Sequence, residues 1–199
     1  MSFNRHAAAR RPFGLLLAGA LAVALLGLGG GVANASEPAP EQSTARYEVD
    51  FMTDMIDHHA MAIMMAEMCL DKAVHEELES MCADIIAAQQ AEIETLQGWL
   101  AEWYGVDYEP DLTNGDMMSM MRLHRLEGAE FEITFMRMMA KHHWKALTMA
   151  EGCVDRAYHG ELVEMCQEII AAQSAEIAQL QEWLCDWYGR CGGRPVRTA

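Results

Sequence analysis

The chain has 199 residues, with 30 acidic against 14 basic side chains, a formal net charge of −16, and 17 methionines, eight histidines and six cysteines. Such an acid excess argues against nucleic acid and anionic membrane surfaces as partners and favours cations, although charge can also simply keep a protein in solution. The length suffices for one domain with its own core.

Arg5, Arg10 and Arg11 precede an apolar run from residue 13 to about 28, and Ala33-Asn34-Ala35 supplies a small-x-small cleavage signal. Residues 1–35 therefore read as a signal peptide. The order Arg10-Arg11-Pro12-Phe13 resembles a twin-arginine export signal, with general secretion as the other route. The run is short and glycine-rich, which argues against a retained anchor and against stable membrane insertion after cleavage. Cleavage takes three arginines and no acid, moving the net charge from −16 to −19 for an exported, periplasmic or extracellular chain. Residues 36–46, rich in Pro, Ala and Glu, are expected to form a flexible tether.

A direct repeat follows. Residues 51–105 and 135–189 align without a gap at a constant offset of 84, and more than half of the positions are identical, including a His-His pair, methionines and two cysteines. In repeat one (47–105), Phe51, Met55, His58, Ala62, Met65 and Cys69 recur at alternating steps of four and three, the stripe of a helix beginning near Tyr47. Leu78, Ile85, Gln89, Glu92, Leu96, Trp99 and Trp103 mark a second helix, closed by Gly105. The linker and short helix (106–128) place Asp116 as a cap, Gly128 as a stop, and Met117, Met120, Met121 and His124 in between as a second candidate metal site beside the first candidate set of His58, His59, Met61, Met65 and Met68. Repeat two (129–189) copies the hairpin, and residues 190–199 form a loose tail. No stretch alternates as a strand does. The prediction is an all-α fold: a four-helix bundle built from two repeated helical hairpins, with a short extra helix between them.

An oxidising compartment makes disulfides the default for the six cysteines. Repetition pairs Cys69 with Cys82 and Cys153 with Cys166, leaving Cys185 for Cys191; the competing reading makes these thiols metal ligands with His75 and His159. If Cys69 lies opposite Cys82 in an antiparallel hairpin, His59 falls opposite Glu92, and by the same register His143 falls opposite Glu176. Gln89, Glu92, Gln173 and Glu176 then meet the histidine pairs at mid-bundle, either orienting ligand imidazoles or forming plain structural hydrogen bonds.

His58, Met61, Met65 and Met68 form a stripe of imidazole and thioether groups. Thioether sulfur suits copper(I), and imidazole accepts copper in either state as well as zinc. Methionine is also an adaptable core filler, and a stripe of it at helical spacing is more often packing than chemistry. Two adjacent histidines, however, point about 100 degrees apart on a helix and cannot hide behind one neighbour. With a pair in each repeat, two copies of one site are expected.

Phe-Met-x-x-Met-x-x-His-His, the later Ile-Ile-x-x-Gln-x-x-Glu-Ile and Trp-Leu, and Leu126 to Glu132 running into Phe135, together resemble the domain of unknown function 305 family from about Tyr47 to Tyr188. The resemblance implies a ferritin-like, duplicated four-helix fold in an exported bacterial protein, with copper binding in some members. It carries the site onto His58, His59, Met55 and Met65 in the first copy and His142, His143, Met139 and Met149 in the second. Trp144 and Lys145 depart from the small residues usual after the second pair.

The leading expectation is a non-enzymatic copper protein that buffers, stores or passes on the ion, with Cu(I) favoured, Cu(II) or zinc as variants, and an unidentified copper donor or acceptor protein. Two alternatives stand beside it. A di-iron redox bundle needs Glu-x-x-His motifs, and the mature chain offers only Asp54-x-x-Asp57-His58 in their place. A structural or partner-binding domain would use Trp99, Trp103, Tyr104 and their copies Trp183, Trp187, Tyr188 to seal the bundle or to dock a partner. Nucleophile elbows, phosphate-binding glycine loops and Cys-x-x-Cys pairs are absent from the sequence.

Overall fold

A computed structural model describes residues 36–193; residues 1–35, on which the expected signal peptide falls, and residues 194–199 of the expected tail lie outside the described residues. Five helices follow in order: α1 Gln42–Lys72, α2 Glu76–Tyr104, α3 Asn114–His124, α4 Gly128–Arg156 and α5 Gly160–Tyr188. No strand occurs among the described residues, and no helix there is long and apolar enough to cross a membrane. The fold is all-α, with α1 packed on α2, α4 on α5, and the two hairpins joined through α1 against α4. Helix α3 lies on α1 and α4.

Why the helices stop where they do is visible in the sequence. Gly105 and Gly189 adopt φ of 65° and 62°, and the following N–H groups turn back onto Leu100 and Leu184 carbonyls. Glycine takes that left-handed conformation without the steric cost a side chain would meet. Thr113, rather than Asp116, caps α3: its hydroxyl accepts from the Asp116 N–H while the Asp116 carboxylate accepts from the Thr113 N–H, a reciprocal capping box. Gly128 does not close α3 but begins α4, where its φ of 54° redirects the chain. The end of α3 is held instead by Lys72, whose ammonium donates to the His124 and Leu126 carbonyls.

The expected tether is shorter than 36–46, because α1 starts at Gln42. What precedes it is fastened to the bundle end: the Ala39 N–H donates to the Tyr104 hydroxyl, and the Glu37 carbonyl lies 2.9 Å from His159 Nε2. Two such bonds and the burial of Ala39 order a stretch whose composition alone reads as loose.

Buried apolar residues form two clusters, each drawing on both repeats. One gathers Met65, Leu78, Ile85, Leu123, Phe131 and Phe135, and the other Met52, Met55, Ile56, Leu96, Leu100 and Ile169. Each such side chain contributes about 1.5–3 kcal/mol on burial. Neither hairpin could close these cores alone.

Three disulfides form, Cys69–Cys82, Cys153–Cys166 and Cys185–Cys191, and no cysteine among the described residues is free. The thiolate reading is thereby overturned, and its two histidines are engaged elsewhere. Glu132 of α4 accepts the Val74 and His75 N–H groups at 2.6 and 2.9 Å and lies 2.7 Å from His75 Nδ1, with Tyr188 donating to the same carboxylate. Glu48 of α1 does the same for Tyr158, His159 and Tyr104 at the other end. Each repeat thus caps the second helix of the other. Trp187 stacks on His75 and Trp103 on His159, so these aromatic residues seal the bundle. Burial alone would raise both carboxyl pKa values, but the converging donors outweigh it and hold both below the usual range.

The Cys69–Cys82 bridge closes a short loop, worth about 3 kcal/mol in the chain-entropy model. Cys69→Ala with Cys82→Ala is expected to lower unfolding stability by that amount in a urea titration, and reductant should then have less left to remove. An unchanged midpoint would contradict the role given to the bridge.

Candidate metal centre

Between the two apolar clusters the core turns polar. His58, His59, Gln89, His143 and Gln173 are buried there, with Glu92, Glu176 and His142 partly so. The hairpin register read from the cysteines is the one observed: His59 Nε2 lies 2.6 Å from Glu92 Oε2, and His143 Nε2 lies 2.8 Å from Glu176 Oε2. One histidine of each pair is therefore turned into its own hairpin.

The other two meet. His58 of α1 and His142 of α4 stack with ring centroids 3.6 Å apart and planes 27° from parallel. None of their four ring nitrogens has a hydrogen-bond partner, and all four are removed from solvent. An unsatisfied buried polar group costs about 1–3 kcal/mol, so this arrangement is expensive unless something binds it. Burial most of all, then the charges of neighbouring histidines and of Lys145, pushes the His58 pKa down to about 3 and His142 well below its ordinary value. Both rings are neutral at physiological pH, the form in which imidazole donates to a metal.

The stacked pair opens on a cleft of about 990 Å³ between α1 and α4. Two stripes line it at steps of four, three and four: Asp54, His58, Met61, Met65 on α1 and Met138, His142, Lys145, Met149 on α4. The residues of one stripe are the repeat counterparts of the other. Ser119, Arg122 and Leu123 of α3 cover one side, and Asp111 and Thr113 of the preceding loop add to the wall. Asp57 is engaged there, accepting the Tyr108 hydroxyl and the Asp111 N–H.

Of the residues expected from sequence, the structure brings His58, Met61, Met65, His142 and Met149 to one place. His59 and His143 back that place without lining it. Met55 and Met139 are fully buried in opposite apolar clusters, and Met68 packs against one of them. Met120 is buried core, whereas Met117 and Met121 are 43% and 57% exposed and His124 is exposed, so α3 turns this stripe away from the cleft. Residues of both repeats thus face one shared cleft. Sequence reading missed Met138, whose signal is its position four residues before His142 on the same helical face. Among the described residues no three His, Cys, Asp or Glu side chains gather into a metal-holding cluster.

The neutral stacked rings have a consequence for stability. Their folded pKa values are depressed, so below about 6.5 the unfolded chain binds protons that the fold refuses, and stability falls as pH drops toward 3. His58 alone is expected to cost the metal-free protein about 2 kcal/mol between pH 7.5 and pH 5, with His142 adding to the loss in the same direction. Urea midpoints at the two pH values, compared with those of a His58→Leu, His142→Leu variant, check it. Equal slopes in both proteins would contradict buried neutral imidazoles.

The model of the family described as Domain of unknown function (DUF305) matches residues 48–184. The structure of CopM in the Cu(I)-bound form is 33% identical to this chain, with a TM-score of 0.64, covering 71% of this chain and 98% of that one. CopM in the Cu(II)-bound form is equally similar, at 33% identity and TM-score 0.64, over 71% and 97% of the two chains. A DUF305 protein from Streptomyces coelicolor matches at 25% identity and TM-score 0.64, over 76% of this chain and 98% of its own. No curated protein matches the chain.

Proposed function

We propose that this chain, which belongs to the DUF305 family, is an exported metal-binding protein that takes up copper, Cu(I) above all, at the histidine–methionine cleft and buffers, stores or passes it on. The observation that carries the reading is the stacked pair His58 and His142, whose four buried ring nitrogens have no partner within the protein. Thioethers of Met61, Met65, Met138 and Met149 line the same space. Neutral imidazole and thioether together form a soft donor set without a carboxylate cage, which suits copper(I) better than calcium or iron. CopM, a third identical in sequence, binds Cu(I), Cu(II) and silver in its solved structures. Residues 1–35 supply the export signal, and three disulfides suit an oxidising destination.

When bound, copper would be held by the two imidazoles with thioether support. The chain's own part is to keep both rings neutral by burial, to keep His59 and His143 turned away through Glu92 and Glu176, and to leave the cleft open enough for exchange. Elemental analysis of the protein purified from its native exported compartment, followed by anaerobic Cu(I) titration against a competing chelator, tests this. One tightly bound copper per chain is expected; intact protein that takes up no copper would overturn the proposal.

A further inference from the structure

The two stripes that face the cleft are copies of each other, yet the copies differ where it matters for a cation. His58 answers to His142 and Met65 to Met149, but the counterpart of Met61 is Lys145. Lys145 sits three residues after His142 and four before Met149, on the helical face that lines the cleft. Its side chain is exposed, and none of the ion pairs among the described residues uses it. The thioethers are unevenly spread as well: Met61 and Met138 pack against the cluster that contains Met65, whereas Met149 packs against the other.

We propose that Lys145 sets the charge selectivity of the cleft, its ammonium standing where the first repeat has a thioether and disfavouring a divalent ion more than a monovalent one. The inference rests on the reading of the cleft as a copper site. Coulomb repulsion scales with the charge of the incoming ion, so whatever Lys145 costs Cu(I) in free energy it costs Cu(II) twice over. Lys145 thereby shifts the preference of the site from Cu(II) toward Cu(I). Three cationic side chains stand in the wall, Arg122, Lys141 and Lys145, and the charge of Lys145 is among the causes that lower the pKa of both His58 and His142. Four carboxylates, Asp54, Asp57, Asp111 and Asp116, stand in the same wall, with Asp57 accepting two hydrogen bonds and Asp116 engaged in the cap of α3; they are the same in the unaltered protein and in a Lys145 variant, so the difference between the two reads Lys145 alone.

The doubling makes the test quantitative. Lys145→Leu removes the charge without adding a ligand, and its exposure means the fold is not at risk. If the variant gains about threefold in Cu(I) affinity, it should gain about tenfold, the square of that factor, in Cu(II) affinity. Both gains should shrink as salt is raised, because an exposed charge is screened. The Cu(II)/Cu(I) potential of the bound metal should fall by about 30 mV, the threefold difference converted at 59 mV per tenfold for one electron. Lys145→Arg keeps the charge and should match the unaltered protein.

Chelator competition with each oxidation state, on the unaltered protein and both variants, separates the possible failures. No copper bound by the unaltered protein would sink the copper reading itself. Copper bound with the same affinities and potential in Lys145→Leu, or with equal gains for both oxidation states, would leave that reading standing and overturn the role of Lys145.

Discussion

Glu48→Ala is expected to lower unfolding stability by about 3–5 kcal/mol. Glu48 is fully buried and ties together the Tyr158 and His159 N–H groups, the His159 ring and the Tyr104 hydroxyl. Truncation leaves all four without their acceptor at a closed end of the bundle, and it removes a negative charge from the start of α5, where the helix dipole favours one. Glu132→Ala should cost less, because the His75 side chain is 34% exposed against 2% for His159, so water can replace the lost carboxylate. Glu48→Gln keeps one acceptor oxygen and should fall in between. Urea unfolding of the three variants checks the order. A loss below about 1 kcal/mol for Glu48→Ala would show that the cross-repeat cap is not what holds the hairpins together.

The second large effect has opposite signs in two measurements. His58→Leu with His142→Leu should abolish copper binding, a loss of well over 100-fold, since even partners that only orient a ligand are worth 10–100-fold. The same pair of changes should raise the stability of the metal-free protein by about 1–3 kcal/mol, because it replaces unsatisfied buried polar rings with apolar side chains. Stability held back at a site that has a use is the expected mark of function. A destabilised double variant would mean that the rings are satisfied core residues after all.

How much of this could be read from the sequence depends on whether the interaction leaves a periodic trace. The four long helices do, through the four-three stripes that run Phe51 to Cys69 and Leu78 to Trp103. The cysteine spacing added the one long-range constraint available, and it placed His59 against Glu92 and His143 against Glu176 as observed. The contact of α1 with α4 has no such trace, so the stacking of His58 on His142 and the cleft shared by both repeats were not legible. Glu48 and Glu132 lie three residues upstream of the aligned segments at the same offset of 84, and extending the comparison would have found them. Helix α3 misled for a physical reason: Met117, Met118, Met120 and Met121 share one broad side of an 11-residue helix, and only the burial of Met120 and Leu123 decides which edge of that side faces inward.

The claim on which the rest depends is that both repeats build one centre. Cu(I) titration of the single variants His58→Gln and His142→Gln, beside the unaltered protein, tests it most directly. One composite centre predicts that either change alone removes the whole of the tight stoichiometric binding. Retention of tight binding in either variant, as independent sites in each repeat would give, contradicts it.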